Sequence, residues 1–167
     1  RDRFEIMSKD KVDPDEMMFH MNNDLYQTKT AGMFVTCILG EYDLVSEEIR
    51  WVNAGHQPAL LRTHDGKYSE YISSSTPLGV IKHKDKSVYK LEKTKLNSSR
   101  FYVFTDGLSE SLDKNGNEIG VEGSIKIIEN NFNTDLKKQL KDVTLEVVKV
   151  AGEKNLRDDL TLVGLGN

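Results

Sequence analysis

The chain has 167 residues, which is long enough for one domain with a sizeable hydrophobic core and short for two. Its hydrophobic share of 37% and charged share of 30% are typical of soluble globular proteins, and its net charge of −4 disfavours nucleic acid or an anionic membrane as the main partner. A single cysteine, Cys37, excludes an internal disulfide, and no apolar run approaches the roughly 18 residues of a membrane span.

The first elements predicted along the chain are a helix and an apolar strand. Asp13, Pro14 and Glu16 predict a helix start, because an aspartate can act as the N-cap, proline fits the first helical position, and the glutamate completes a capping box. Farther on, the run Met33–Leu39 is apolar on both faces apart from Thr36. This pattern predicts a central strand that is covered on both sides.

The middle of the chain is predicted to be mostly β-structure, and its last third mostly helical. Strands are predicted at Ile49–Asn53, Ala59–Arg62, Tyr68–Ile72, near Ser87–Leu91 and at Phe101–Phe104. They are followed by a short helix over Glu122–Asn130, an amphipathic helix over Asp135–Ala151 and a closing strand over Leu160–Leu165. Hairpin-linked strands followed by helices predict an α+β fold with antiparallel sheet, in a single domain over residues 1–167.

Two acidic segments border the apolar strands. Asp106 follows the predicted strand Phe101–Phe104, and Asp158 and Asp159 precede the closing strand. A carboxylate held rigidly at a strand end is a suitable ligand for Mg²⁺ or Mn²⁺, so the acids could converge on one metal site if the two strands are neighbours. The alternatives are an ordinary Asp-Gly turn at Asp106 and a solvated loop at the acidic pair.

A third candidate is His56. Gly55 and Pro58 predict a turn that places His56 on a loop, where it could act as an acid, a base or a phosphate contact. The alternative is an exposed or hydrogen-bonded structural histidine. The other histidines have no metal-ligand spacing, which argues against a zinc site. Cys37 lies in an apolar run and is expected to be a core residue rather than a nucleophile.

Five segments occur in the order that is typical of one family of bacterial phosphatases. They are Met33-Phe34-Val35-Thr36, Trp51-Val52-Asn53-Ala54-Gly55-His56-Gln57-Pro58, Thr76-Pro77-Leu78-Gly79, Tyr102-Val103-Phe104-Thr105-Asp106-Gly107-Leu108-Ser109-Glu110-Ser111 and Asp158-Asp159-Leu160-Thr161-Leu162. Across residues 33–165 the sequence therefore resembles the stage II sporulation protein E-type phosphatases, a branch of the PP2C-like metal-dependent serine/threonine phosphatases.

The resemblance implies an antiparallel β-sandwich flanked by helices, with a two-metal site at one end of the sheets. It implies that Asp106 and Asp158 are metal ligands and catalytic residues. Two Mn²⁺ or Mg²⁺ ions would activate a water for attack on a phosphoserine or phosphothreonine, without a covalent nucleophile. Four further residues are expected near the substrate and the metals: Asn53, His56, Gly107 and Asp159.

Known substrates of the family are phosphorylated anti-sigma-factor antagonists, so the resemblance implies a phosphoprotein partner of that class. It also implies a cytoplasmic location, without nucleic acid and without direct insertion into a membrane. The resemblance leaves open whether the protein forms a homodimer, carries an attached sensor domain, or is the cytoplasmic part of a larger sensor protein.

The sequence departs from the family pattern at its beginning. The family's N-terminal Gly-Asp strand motif and its Gly-Asp…Gly-His-Gly segment, which supplies further metal ligands, do not occur. We therefore expect a partial domain that lacks its N-terminal strands and first metal-ligand motifs, and weak or no activity of this chain by itself. The competing interpretation is a non-catalytic PP2C-like regulatory or protein-binding module with an incomplete metal site. An unrelated α+β binding domain would require the five ordered segments to be a coincidence.

Overall fold

The structure, a computed structural model, describes residues 11–28, 32–152, 156 and 158–166. Its helices are α1 (Pro14–Thr28), α2 (Asp106–Ser109), α3 (Gly120–Asn130) and α4 (Leu136–Ala151). Its strands are β1 (Cys37–Asp43), β2 (Glu48–Ala54), β3 (Ala59–Arg62), β4 (Tyr68–Tyr71), β5 (Glu92–Lys95), β6 (Arg100–Phe104) and β7 (Leu162–Leu165). None of the described helices is long and apolar enough to cross a membrane.

The described strands form two antiparallel sheets. The first has the order β1-β2-β5, and the second has the order β4-β3-β6-β7. In the first sheet β2 is central, with Ala54 opposite Cys37 of β1. In the second sheet Phe104 of β6 lies opposite Leu162 of β7. Antiparallel pairing throughout, together with the helices, confirms the predicted α+β class.

The chain divides into two compact units, Arg1–Pro58 with Ile72–Leu96 and Ala59–Tyr71 with Asn97–Asn167. The first unit contains α1 and the sheet β1-β2-β5, and the second contains α2, α3, α4 and the sheet β4-β3-β6-β7. That residues 1–167 form one domain stays a prediction.

The first unit packs α1 on its sheet. The helix begins where it is predicted to begin, and the Asp13 carbonyl accepts the Met17 N–H at 3.0 Å. The Asp13 carboxylate binds the Arg50 guanidinium of β2 at 2.8 Å. The buried apolar cluster of this unit consists of Met18, Val52, Ala54, Leu78 and Tyr89.

The second unit has a larger apolar core, and a buried polar network holds β6 within it. The core consists of Leu60, Tyr102, Phe104, Leu108, Ile127, Ile128, Val143 and Val147. Beside it the Gln139 side chain accepts a hydrogen bond from the Tyr102 hydroxyl at 2.9 Å and donates one to the Ile128 carbonyl at 3.0 Å. Arg100 donates to the same Gln139 oxygen. Buried polar groups that are fully paired favour one arrangement of the surrounding elements, so β6 is fixed against α3 and α4.

Two of the predicted strands are wrong. The run Met33–Leu39 is not a central covered strand: β1 begins only at Cys37 and lies at an edge of the described sheet, and the side chains of residues 33–35 are exposed. The strand predicted near Ser87–Leu91 is a short 3₁₀ helix at Lys86–Val88, because the Asp85 carboxylate accepts the Ser87 N–H at 2.9 Å and starts a helical turn there.

Candidate functional site

The two acidic segments lie at the same end of the second sheet. β6 and β7 are antiparallel neighbours, and Phe104 and Leu162 form the last pair of their ladder. Asp106 lies just beyond the end of β6, and Asp158 lies just before the start of β7. The pairing therefore brings together the two segments on which the predicted metal ligands lie, and this satisfies the condition that the sequence left open.

Thr105 ties these two segments to each other. Its N–H donates to the Thr161 carbonyl at 3.1 Å. Its hydroxyl donates to the Asp159 carbonyl at 2.9 Å and accepts the Thr161 N–H at 2.9 Å. The side chain thus takes the place of a backbone partner and extends the β6–β7 ladder past its last strand pair. As a result, the segment that precedes β7 is fixed relative to the start of α2.

Gly107 allows the same two segments to approach closely. A Cβ atom at this position would lie 2.4 Å from the carbonyl oxygen of Asp159 and 3.0 Å from that of Asp158. The first distance is far below a normal van der Waals contact, and the obstructing atoms belong to the backbone, which cannot rotate away. Glycine is therefore required here for space, at the residue that follows the predicted ligand Asp106.

The predicted ligand Asp106 begins a short helix rather than a plain Asp-Gly turn. Its carbonyl accepts the Glu110 N–H at 2.7 Å, and Leu108, two residues farther on, is fully buried and anchors α2 in the core. Asp106 itself is half-buried, whereas Asp158 and Asp159 are exposed. Asp158 Oδ1 accepts the Asp159 N–H at 2.7 Å, which orients its carboxylate.

The donor set fits a hard divalent cation in kind but is incomplete. Carboxylate oxygens are the ligands that Mg²⁺ and Mn²⁺ prefer, and Asp106 and Asp158 supply them from two adjoining segments. The part of the chain that the structure describes contains no group of three or more His, Cys, Asp or Glu side chains that could hold a metal ion. That Asp106 and Asp158 are metal ligands therefore stays a prediction, and the two residues would supply only part of a coordination shell.

The predicted near-site residue His56 lies in the first unit, on a loop whose conformation Asn53 fixes. Asn53 Oδ1 accepts the His56 N–H at 2.9 Å, and Asn53 Nδ2 donates to the Gln57 carbonyl at 3.0 Å. The ring Nδ1 of His56 lies 3.0 Å from the hydroxyl oxygen of Thr36. Asn53 is buried and His56 half-buried, so the asparagine organises the loop that presents the histidine.

Two of the segments that carry the family resemblance pack against each other in this unit. Gly55 has a φ of 68°, a conformation that favours glycine, and a Cβ atom there would lie 2.5 Å from the Pro77 ring. The Gly55 N–H donates to the Ser73 hydroxyl at 2.7 Å. The loop of His56 is therefore held from both sides.

The six predicted site residues thus fall into two groups. Asp106, Gly107, Asp158 and Asp159 come together in the second unit, and Asn53 and His56 come together in the first. Cys37, which the sequence predicts to be an inert core residue, is half-buried, and burial raises the pKa of its thiol, so it is a poor nucleophile.

Sequence reasoning missed two threonines that contact these residues. Thr105 binds the Asp159 backbone, and Thr36 lies against His56. The sequence holds one signal for Thr105, namely its place between an apolar strand and an acid. Thr161 has a similar place, between the acidic pair and the strand β7. A threonine at a strand end is common, so this signal alone does not predict a bridge.

Comparison with known proteins gives a family match over almost the whole chain. Residues 1–166 match the family model described as stage II sporulation protein E (SpoIIE). Among curated proteins, phosphoserine phosphatase RsbU of Bacillus subtilis is 24% identical over 156 residues, covering 92% of this chain and 45% of that protein. Phosphoserine phosphatase RsbP of the same organism is 27% identical over 95 residues, covering 57% and 23%. The chain therefore spans less than half the length of these relatives.

Solved structures show the same fold. The SiaA-PP2C domain of Pseudomonas aeruginosa matches with a TM-score of 0.77 at 16% identity, over 93% of this chain and 61% of that one. The phosphatase domain of SpoIIE from Bacillus subtilis matches with a TM-score of 0.68 at 17% identity, over 99% of this chain and 72% of that one. These likenesses confirm the predicted PP2C-like fold.

Proposed function

Because the chain belongs to the stage II sporulation protein E family, we propose that it forms part of the catalytic domain of a metal-dependent protein serine/threonine phosphatase. One observation carries the proposal: the Thr105 hydroxyl and the close approach at Gly107 hold Asp106 beside the Asp158–Asp159 segment. Neither an ordinary turn at Asp106 nor a solvated loop at Asp158 and Asp159 requires the two segments to be held together. A cation that is shared by Asp106 and Asp158 does require it.

We assign Asp106 and Asp158 as ligands of Mn²⁺ or Mg²⁺. When bound, such ions lower the pKa of a coordinated water and offset charge on phosphoryl oxygens. The chain's own contribution is positional. Leu108 anchors the helix that begins at Asp106, and Thr105 fixes the segment that carries Asp158. Ligands that are held rigidly before the ion binds lose less conformational entropy on binding.

We further propose that the substrate is a phosphorylated anti-sigma-factor antagonist and that the reaction takes place in the cytoplasm. The choice of phosphoserine is supported by two relatives named phosphoserine phosphatases. The substrate class rests on the family resemblance. We propose Gly107 and Asp159 as residues near the metals, and Asn53 and His56 as residues that contact the substrate.

The test is phosphate release by the intact protein that contains this chain. A purified phosphoserine-containing antagonist and p-nitrophenyl phosphate are each incubated with the protein over a titration of MnCl₂ or MgCl₂. We expect hydrolysis that depends on the added metal and stops with EDTA. Metal-independent hydrolysis, or none at any metal concentration, would contradict the proposal.

A second candidate function is a non-catalytic PP2C-like module that binds a partner protein. It is favoured by one observation, namely that no group of three or more ligand side chains occurs among the described residues. Titration calorimetry with Mn²⁺ separates the two functions. A module with an incomplete site binds the partner protein without binding Mn²⁺ tightly, whereas a phosphatase needs the metal for turnover.

A further inference from the structure

The last residues of β2 have an irregular segment as their neighbour. β5 pairs with β2 only from Glu48 to Trp51, so the end of β2 extends beyond its strand partner on that side. The segment that follows β4 lies there instead, and its Ser75 forms an isolated parallel bridge with Ala54. The serines of this segment therefore border the strand end from which the loop of His56 starts.

The Ser73 hydroxyl joins two backbone groups at this strand end. It accepts the Gly55 N–H at 2.7 Å. Its single proton goes to the carbonyl of Asn53 or of Ser75, each of which lies 2.9 Å away. The Ser75 hydroxyl donates to the same Asn53 carbonyl at 3.0 Å. Ser73 thus binds the backbone on both sides of one residue, whereas Ser75 supplies a single hydrogen bond to it from its side chain.

Asn53 connects the two serines to His56. The serines bind the backbone carbonyl of Asn53, and the side chain of the same residue holds the loop. Asn53 Oδ1 accepts the His56 N–H at 2.9 Å, and Asn53 Nδ2 donates to the Gln57 carbonyl at 3.0 Å. Asn53 is only 8% exposed, so its side chain has little room to compensate for a shift of its backbone. A movement of the Asn53 backbone therefore displaces His56.

We propose that Ser73 is a positioning residue for the phosphatase reaction and that it acts on His56 through Asn53 and Gly55. This inference rests on the function proposed above, in which His56 contacts the substrate. All four residues belong to the first unit, so the argument depends on contacts within that unit alone. A substrate-contacting side chain that moves by about 1 Å can lower a rate by about a hundredfold, so a hydroxyl behind it can influence catalysis without touching the substrate.

The test uses alanine variants of three consecutive serines in the intact protein. Ser73→Ala removes the hydroxyl that binds two backbone groups, and Ser75→Ala removes one bond to the Asn53 carbonyl. Ser74→Ala is the matched control, because Ser74 lies between them and is exposed. With p-nitrophenyl phosphate and Mn²⁺, we expect kcat/KM to fall about tenfold in Ser73→Ala, about threefold in Ser75→Ala and less than about twofold in Ser74→Ala.

A double-mutant cycle with His56→Gln separates positioning from a purely structural role. If Ser73 acts through His56, Ser73→Ala should change kcat/KM by less than about twofold in the His56→Gln background. Its effect on the melting temperature should be the same in both backgrounds. A serine that only stabilises the fold would lower the rate by the same factor with and without His56. That result, or a wild-type rate in Ser73→Ala, would overturn the inference.

A measurement without turnover separates this inference from the proposed function. Diethyl pyrocarbonate modifies neutral imidazole rings, and peptide mass spectrometry gives the rate at each histidine of the intact protein in EDTA. Ser73→Ala should raise the rate at His56 about threefold or more, because the loop opens more often, and leave His20 and His64 unchanged. If wild type hydrolyses nothing but His56 still responds, the phosphatase function fails and the control of His56 by Ser73 stands. An unchanged rate at His56, or an equal rise at all three histidines, would overturn the inference.

Discussion

The hydroxyl of Thr105 donates a hydrogen bond of 2.9 Å to the backbone carbonyl of Asp159, and this bond ties the end of β6 to the segment before β7. The same hydroxyl accepts the Thr161 N–H at 2.9 Å, so both of its hydrogen-bonding roles are used. The Asp159 carbonyl oxygen is also the atom that a Cβ at position 107 would lie nearest to. The positions of Asp106 and Asp158 therefore depend on an uncharged side chain between them.

Replacement of Thr105 by valine should separate the two acidic segments with little change of side-chain shape. The Asp159 carbonyl and the Thr161 N–H both lose their partner, so we expect the free energy of unfolding to fall by about 1–2 kcal/mol. In the intact protein, phosphatase kcat/KM should fall about tenfold or more, because the Asp158 segment is no longer fixed relative to Asp106. Denaturant unfolding and phosphate release measure the two effects.

Thr105→Ser keeps the hydroxyl and is the matched control, so its activity should return to within about threefold of wild type. The positioning role also predicts that the valine variant needs a higher Mn²⁺ concentration for half-maximal rate, which a purely structural role would not change. Equal losses in the serine and valine variants, or an unchanged metal requirement, would show that Thr105 does not position the acids.

Replacement of Gly107 by alanine should push apart the same two acidic segments through a steric clash. The new Cβ atom would meet the Asp159 carbonyl oxygen at 2.4 Å, so the backbone must shift, and overpacking of this kind costs about 1–3 kcal/mol. The control is Gly123→Ala in α3, where the nearest atom is a side-chain methyl of Ile119 at 2.8 Å that can move. Thermal unfolding should rank Gly107→Ala well below the control, and equal melting temperatures would refute the close approach.

Local patterns in the sequence were sufficient for most elements and for the acids at the strand ends. An apolar run followed directly by an acid predicted Asp106 at the end of β6, and the helical spacing of apolar residues predicted α4. Both features depend on residues that lie close together in the chain. The family resemblance supplied the β6–β7 neighbourhood of Asp106 and Asp158, which no spacing in the sequence reveals.

The wrong assignment of Met33–Leu39 and the missed Thr105 bridge have a common physical cause, since both depend on residues that are distant in the chain. The run Met33–Leu39 has the composition of a covered strand, but composition does not determine whether another element lies against it. The hydrogen bond from Thr105 to Asp159 joins residues on either side of three helices. Near Ser87 the error was local, because the capping carboxylate of Asp85 outweighed the strand preference of the residues that follow.

Replacement of Glu129 by glutamine should weaken the second unit in a pH-dependent way. Arg62 donates two hydrogen bonds to the Glu129 carboxylate, at 2.6 and 2.8 Å, and Tyr68 donates another at 3.0 Å. These bonds, above all those from Arg62, hold the pKa of Glu129 below its ordinary value of 4.5. The unfolded chain therefore takes up the proton first, so this stabilisation is present above about pH 4.5 and is lost as the pH falls through the lowered pKa.

At neutral pH we expect Glu129→Gln to lower the free energy of unfolding by about 1–3 kcal/mol, because the buried Arg62 loses its charged partner. The difference from wild type should shrink in acid. Glu122→Gln, an exposed position in the same helix, is the control and should change stability by less than about 0.5 kcal/mol at any pH. A difference that is constant from neutral pH into acid would contradict the assigned pairing.

Replacement of Tyr89 by phenylalanine should leave stability unchanged or raise it by about 1 kcal/mol. The Tyr89 hydroxyl is buried and has no hydrogen-bond partner among the described residues, and burial raises its pKa from 10.0 to about 12. Between these values the unfolded tyrosine ionises and the folded one does not. Wild-type stability should therefore fall as the pH rises from 10 to 12, and more steeply than the stability of the variant.

Tyr102→Phe is the contrasting variant. The Tyr102 hydroxyl donates to Gln139 at 2.9 Å, so its removal should lower the stability of the protein. Equal effects of the two variants would be inconsistent with this difference in pairing.

Replacement of Asp106 by asparagine in the intact protein separates the phosphatase from the binding module. Asparagine keeps the size and can still offer a carbonyl oxygen, so the fold and α2 should survive. The change removes one negative charge from the two acidic segments that meet at this end of the sheet, so the melting temperature should be unchanged or raised. If Asp106 is a metal ligand, phosphatase rate should fall by at least about a hundredfold, with weaker Mn²⁺ binding.

Asp65→Asn is the matched control, because Asp65 also precedes a glycine in an exposed turn of the second unit, and its carboxylate binds Lys67 at 2.7 Å rather than another strand end. This variant should keep wild-type activity. If Asp106 is an ordinary turn residue, Asp106→Asn will resemble the control and stay within a few-fold of wild type, since asparagine is well tolerated in turns. The metal assignment of Asp106 would then have to be withdrawn. A binding module, in contrast, has no rate to lose and should bind its partner equally well with either residue.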